Sequence, residues 1–336
     1  MGSVEFHLGI LPNRDVRECV GLGQLAEDLD YSGFWVADSH SLFRDAYMVL
    51  ANTAIATDRI KLAAGVSPTG TRHPAVLANA WATLQELSGG RAVMGLGVGE
   101  SAVRNLGLKP ERLAAFEDKI RVMKGLIRGE PVEYQGNELH MGWGSVDVPV
   151  VIACSGPKSL QLAGRIADGV LFQVGSDPAF VRYALDNIRL GAESSDRKLE
   201  DLQLIMRVAC LVSDDREAAR DAVKGYASIA AGTTYATVSR EYFDDDLYED
   251  LARFKAGYNY QEHGRKDAGH VGLLTDRILD AIAIAGTPEE VIARFRQIAD
   301  MGVDGFCWTA GMPEPEPFIT TFAESVMPSF TSDTED

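Results

Sequence analysis

Arg91-Ala92-Val93-Met94-Gly95-Leu96-Gly97-Val98-Gly99-Glu100 is the stretch on which the fold turns. An apolar, strand-like run leads into spaced glycines, which invites comparison with the GxGxxG turn of a dinucleotide-binding βα unit. Counted from Gly95, the third glycine should stand at position 100, where a helix must pack closely on its strand, and Glu100 occupies it. No GxxxxGK[ST] phosphate loop occurs elsewhere in the chain. The segment is therefore a strand and its C-terminal turn in some other α/β architecture.

Working outward, apolar β-branched runs at 4–10, 33–38, 59–66 and 91–99 alternate with helical patterns at spacings near 30 residues. Runs at 148–154, 167–174, 201–212 and 304–310 supply four more strands. Repeated βα units predict a parallel sheet, and eight strands are the number that closes a (β/α)8 TIM barrel. The runs are apolar along their whole length, as expected when helices cover one face and a packed interior the other. A single barrel domain over 1–330 accounts for the length, with 224–286 as a helical insertion between the seventh and eighth strands and 331–336 as a frayed polar tail. Within the insertion, EYFDDDLYED (241–250) holds six acids and no base and is expected to be a solvated helix or part of a lid over the pocket.

The 336 residues carry 32 Lys plus Arg against 49 Asp plus Glu, a formal net charge of −17. Such a surface repels polyanions, so nucleic acid and anionic membranes are excluded as partners. No apolar stretch reaches the roughly 20 residues of a membrane-spanning helix, and MGSVEFHLG lacks the basic region and apolar run of a signal peptide, so a cytoplasmic location is expected. Cys19, Cys154, Cys210 and Cys307 are scattered without a CxxC pair and read as reduced core thiols. The six histidines show no HxH or HExxH spacing, which leaves no metal site.

In a barrel the chemistry sits at the C-terminal strand ends. Strand two ends at Asp38-Ser39-His40, where Asp38 and His40 are either a base and its orienter or a capping acid and a surface histidine. Strand three ends at Gly65-Val66-Ser67, followed by Thr71-Arg72-His73-Pro74; strand four ends at Gly97-Val98-Gly99-Glu100, with Glu100 either a general acid or a first-turn acid favoured by the helix dipole. After strand five, Ser155-Gly156-Pro157-Lys158 opens a helix, and Gly175-Ser176 follows strand six. The two small-residue turns together make a phosphate cradle of backbone amides.

Glu86-Leu87-Ser88-Gly89-Gly90-Arg91, the glycine run to Glu100, Thr71-Arg72-His73-Pro74, Ser155 to Lys158, Ala167-Asp168-Gly169-Val170 and Gly286-Thr287-Pro288-Glu289-Glu290 together resemble the bacterial luciferase-like superfamily over residues 5–330. Within it the chain is most similar to the coenzyme F420-dependent methylenetetrahydromethanopterin reductases. The resemblance implies a (β/α)8 barrel, commonly a homodimer, that binds F420 or FMN at its mouth. It implies phosphate contacts at Ser155, Gly156, Pro157, Lys158, Gly175 and Ser176. It also implies a non-prolyl cis peptide at Gly65-Val66 behind the ring, with Ser67, Gly97 and Gly99 beside it. Glu100 matches an acidic residue beside the reacting carbon, and Asp38 the strand-two aspartate near the ring. Two departures stand out. Ser39 intervenes before His40, which directly follows the aspartate in relatives, and Gly9 occupies the place of a proton-donating glutamate.

The implied activity is hydride transfer between a reduced deazaflavin or flavin and a small organic substrate, with a separate flavin or F420 reductase as partner. The alternative is an FMN-dependent monooxygenase using O2. A non-catalytic flavin-binding barrel and a glycosidase using Asp38 and Glu100 are the readings from other classes. Pocket specificity is expected in Leu11 to Arg14, Ser39 to Arg44 and the 224–286 segment.

Overall fold

The computed structural model describes residues 4–258 and 269–331. The chain divides into two compact units, one built from residues 7–153 and 167–169 and the other from the remainder.

Through the first unit strand and helix alternate: β1 (Glu5–Ile10), α1 (Val16–Asp28), β2 (Gly33–Val36), α2 (Ala46–Ala56), β3 (Lys61–Ala64), the two-residue β4 (Ser67–Pro68), α3 (Pro74–Leu87), β5 (Ala92–Gly97), the short α4 (Ser101–Arg104), α5 (Leu113–Ile127), the hairpin β6 (Val132–Tyr134) and β7 (Asn137–Leu139), and β8 (Val150–Cys154). The strands pair in parallel in the order β1-β2-β3-β5-β8, with β4 added to β5. Asp15, Asp45 and His73 each accept from a backbone amide of the helix they precede, which sets where α1, α2 and α3 begin.

The Ser88-Gly89-Gly90-Arg91 run is a helix stop. Gly89 and Gly90 take positive φ of 64° and 95°, which glycine adopts without steric cost, and so end α3. Arg91 then donates to the carbonyls of Ala54, Thr57, Ile60 and Ser88, neutralising the C-terminal end of α2 and tying it to β5. Glu27 plays the complementary part, accepting from the amides of Asp58, Arg59 and Ile60 at 2.6–3.1 Å.

The second unit carries α6 (Pro157–Ile166), β9 (Gly169–Phe172), α7 (Pro178–Glu193), β10 (Gln203–Val212), α8 (Arg216–Thr237), α9 (Asp245–Ala256), α10 (Asp276–Ile282), β11 (Ala283–Gly286), α11 (Pro288–Ala299), β12 (Gly305–Ala310) and α12 (Glu316–Ser325). β10 is long enough to pair twice, with β12 along Ile205–Val208 and with β11 along Ala209–Val212. Phe6, Phe295, Phe306, Phe322 and Phe330 pack edge-to-face and stacked with centroids 4.5–6.4 Å apart, and this cluster is the core between β12 and its helices.

All eight strands expected from the sequence are present. Their order and covering helices are those of a (β/α)8 fold. Helix in the 224–286 region starts earlier than its composition signals, at Arg216, and the region ends in β11, whose small residues Ala283-Ile284-Ala285-Gly286 give no strand signal of their own. Residues 259–268 of that region, and the tail from 332, lie outside the described residues. All four cysteines are free and buried as expected, and burial pushes the thiols of Cys154, Cys210 and Cys307 upward, the last to about 12.

Candidate active site

Asp38, at the end of β2 and only 5% exposed, is the centre of a polar network in the first unit. Its carboxylate takes both Nη groups of Arg72 at 2.5 and 3.2 Å, and the Ser67 hydroxyl at 2.5 Å. Because Ser67 gives its one proton to Asp38, Tyr47, 2.8 Å away, must be the donor in its bond to Ser67 Oγ. Burial pushes the Tyr47 phenol above its ordinary range and keeps that proton in place. Arg72 also lies 5.0 Å over the Tyr47 ring and reaches Asp45 at 3.3 Å.

A clasp joins the turns after β2 and β5. Ser39 Oγ is 2.8 Å from Ser101 Oγ, and His40 Nε2 is 2.8 Å from the Ala102 carbonyl, with Ser41 Oγ 2.9 Å from Nδ1. A carbonyl only accepts, so Nε2 carries a proton and donates it to Ala102. Asp38 and His40 are therefore not a base and its orienter. The carboxylate is saturated by Arg72 and Ser67, and the imidazole faces α4. The extra residue, Ser39, provides the other half of the clasp.

Glu100 precedes α4 with its side chain 74% exposed and ion-paired to Arg104 at 2.6 Å. The Gly65-Val66 peptide is cis, at the position the family resemblance implied. Behind it Gly97 leaves no room for a side chain, since a Cβ there would lie 2.8 Å from Val66 Cγ2. Gly99 adopts φ +73° against Pro68 and Val103. Buried Thr69 donates to Glu111 at 2.6 Å, and Lys119 bonds both Glu111 and the Thr69 carbonyl, pinning the β4 turn from below. His73 caps α3, its Nδ1 accepting from the Ala75 amide at 3.2 Å.

In the second unit the two expected phosphate turns differ. Ser155 and Gly156 are half-buried and Lys158 is exposed, at the start of the ten-residue α6, where amides and the helix dipole favour an anion. Gly175 and Ser176 are buried. The Ser176 amide donates to Ala281 at 2.8 Å and its hydroxyl to Ala283 at 3.0 Å, while Gly175 takes φ +89° with Ala281 O where a Cβ would stand. This turn holds the end of α10, and Ser176's donors are committed there. A polar cavity of about 270 Å³ also lies among α8, α10 and α11, but its arginines are matched: Arg220 pairs with Asp276 and Asp280, and Arg216 with Glu290.

Sequence reasoning gave Arg72, Tyr47, Ser101, Glu111 and Lys119 no role. Arg72 stood inside a quoted motif, and its signal was an arginine one strand along from a strand-end aspartate. Glu111 and Lys119, eight residues apart, carry no such signal.

The chain belongs to the luciferase-like monooxygenase family, whose model matches residues 4–305. That membership makes it an oxidoreductase. Among curated relatives, a 5,10-methylenetetrahydromethanopterin reductase from Methanolobus tindarius is 31% identical over 308 residues, covering 89% of this chain and 91% of that protein. Among solved structures, the coenzyme F420-dependent tetrahydromethanopterin reductase from Methanopyrus kandleri matches with a TM-score of 0.78 at 24% identity, covering 98% of this chain and 100% of that one. An F420-dependent secondary alcohol dehydrogenase, solved with an F420-acetone adduct, matches with a TM-score of 0.76 at 18% identity over 98% and 100%. The shared fold is the (β/α)8 barrel. Among the described residues no helix is long and apolar enough to cross a membrane, and no cluster of His, Cys, Asp and Glu could hold a metal ion.

Proposed function

We propose that this protein is a coenzyme F420-dependent oxidoreductase that passes a hydride between the deazaflavin and a small organic substrate. The observation that carries the reading is the near-full-length similarity to the reductase. Each unit taken by itself offers features that suit part of the group: in the first, a glycine-lined bulge at Gly65, Val66, Ser67, Gly97 and Gly99 suits a flat ring; in the second, the Ser155-Gly156-Pro157-Lys158 turn at the start of α6 suits a phosphate. Gly175 supports the scaffold beside it, and Ser176 is assigned to that scaffold.

When bound, the coenzyme supplies or accepts the hydride; the protein orients the reactants and manages a proton. Asp38, Ser67, Tyr47 and Arg72 fix the β2 and β4 turns and so position what lies on them. Glu100 is open to solvent, from which a proton can reach it, and Arg104 orients its carboxyl group. His40 holds the Glu100 turn in register through Ala102. Gly9, in β1 opposite Trp35, offers no carboxylate where the family resemblance puts a proton-donating glutamate, which argues against the relatives' pterin substrate.

The alternative, supported by the family's monooxygenases, uses FMN and O2 with a separate reductase. Titration of purified protein with each coenzyme separates them: F420 quenching and F420 turnover support the first, whereas tight FMN binding with oxygen uptake and no F420 turnover supports the second.

We also propose a homodimer. α2 is apolar over most of its surface, Asn52 aside, and leaves Met48 and Ile55 at 62% and 74% exposure; Val76 of α3 is 58% exposed. Replacing Met48 and Ile55 together by Glu should convert a dimer to a monomer on light scattering; an unchanged mass would remove α2 from the interface.

A further inference from the structure

We infer that Arg207, Thr309 and Tyr226 form a seat for an anionic group of the substrate, a carboxylate or a phosphate ester. The inference extends the oxidoreductase reading by naming the class of its substrate.

The register of β10 and β12 decides which way these side chains point. Phe306 packs on Phe295 of α11 and Trp308 on Phe322 of α12, so those β12 positions face the helices. Side chains alternate along a strand, so Cys307 and Thr309 face the other side of the sheet, and Arg207, paired in register with Cys307, faces it too. In a (β/α)8 fold that side is the interior, and Thr309 lies one step nearer the C-terminal strand ends where substrates bind.

There the Arg207 Nη2 donates to Thr309 Oγ1 at 3.2 Å, and the guanidinium lies 5.8 Å from the centre of the Tyr226 ring. The Tyr226 hydroxyl is 3.3 Å from the same Thr309 oxygen. Arg207 Nε is buried and has no hydrogen-bond partner. Among the described residues no carboxylate pairs with Arg207, whereas Arg72, Arg220 and Lys119 each have acidic partners.

A guanidinium withdrawn from water without a counter-charge is unfavourable, and its planar fork of donors matches a carboxylate or phosphate edge. Two hydroxyls converge on the same point as further hydrogen-bonding groups. Arg207, Thr309 and Tyr226 are all part-exposed, although Val208, Cys307 and Trp308 beside them are 2–3% exposed, so a ligand can reach this patch of an otherwise closed sheet. In a chain of net charge −17, a local cation favours the binding of an anionic substrate.

The test uses full-length protein and two probes, inorganic phosphate and acetate, titrated by calorimetry at constant ionic strength against a chloride control. It is run on free and on F420-saturated protein, and F420 affinity is read by fluorescence quenching. Wild type should bind at least one probe above the chloride control, with F420 bound as well as without it. Arg207→Gln should weaken that binding roughly tenfold or more, and Arg207→Lys should restore part of it. Tyr226→Phe and Thr309→Val, which keep the arginine, should weaken it severalfold, so the result does not depend on one variant folding. F420 affinity should be unchanged in Arg207→Gln. Equal probe binding in wild type and Arg207→Gln, or none above chloride, would overturn the proposal. An equal loss of F420 affinity would overturn it too, by giving the arginine to the coenzyme. If F420 binds neither protein, the coenzyme reading fails while the anion seat is still decided by the free-protein titration.

Discussion

Arg72, in the first unit, lies 5.0 Å from the Tyr47 ring and holds the carboxylates of Asp38 and Asp45; Arg207, in the second, lies 5.8 Å from the Tyr226 ring and holds one hydroxyl, that of Thr309. Residue type, partial burial and aromatic neighbour are alike, yet one cation is matched by carboxylates and the other, among the described residues, is not. Folding fixes the first kind, which makes it scaffold. The second is met by a hydroxyl and an aromatic ring, and the proposed anion would supply its counter-charge.

The comparison breaks first on stability. Arg72→Met leaves Asp38 buried and unpaired, and should lower unfolding free energy by about 3–5 kcal/mol in urea titrations. Arg207→Met removes a cation that has no acidic partner among the described residues and should cost no more than about 1 kcal/mol, or stabilise. A larger loss for Arg207 than for Arg72 would reverse the assignment of scaffold and seat.

Glu27 sharpens the same contrast, since its counter-groups are backbone amides. Burial tends to raise its carboxyl, but the amides of Ile60, Asp58 and Arg59 outweigh it and hold it below the usual carboxylate range. A group lowered on folding contributes stability above its unfolded pKa, about 4.3, and loses it as pH falls through the folded value. Glu27→Gln should therefore cost about 1–2 kcal/mol at pH 7 and progressively less below pH 4. A difference between variant and wild type that stays constant from pH 7 to pH 3 would show that the charge is not what the amides hold. Smallest in stability is Glu100→Gln, which breaks only an exposed pair and should shift unfolding by about 0.5 kcal/mol or less while slowing turnover. Unchanged turnover would remove Glu100 from the chemistry.

What was legible in the sequence follows the same division. Strands were plain because helices cover one face and the interior the other, leaving uninterrupted apolar runs. The turns were plain where glycine is required, as at Gly89-Gly90 and Gly99. Partnerships were not. Asp38 and His40, two residues apart, suggested a pair, yet Asp38 turns to Arg72 across 34 positions and His40 to Ala102 across 62. Ser176 fitted a phosphate turn by composition, and only the fold brings Ala281 and Ala283 to its donors. Arg207 sat unremarked in an apolar strand, because a missing counter-ion becomes visible only once every neighbour is in place.

Hydride transfer to or from a deazaflavin is the proposed reaction of this chain. The most direct measurement is stopped-flow absorbance of F420 with purified wild-type protein and a panel of small alcohols, aldehydes, carboxylates and phosphate esters, under nitrogen and then in air. F420 should bind saturably and change oxidation state in a substrate-dependent way that does not need oxygen. Tight FMN binding with oxygen consumption, and an F420 spectrum that no substrate alters, would contradict it.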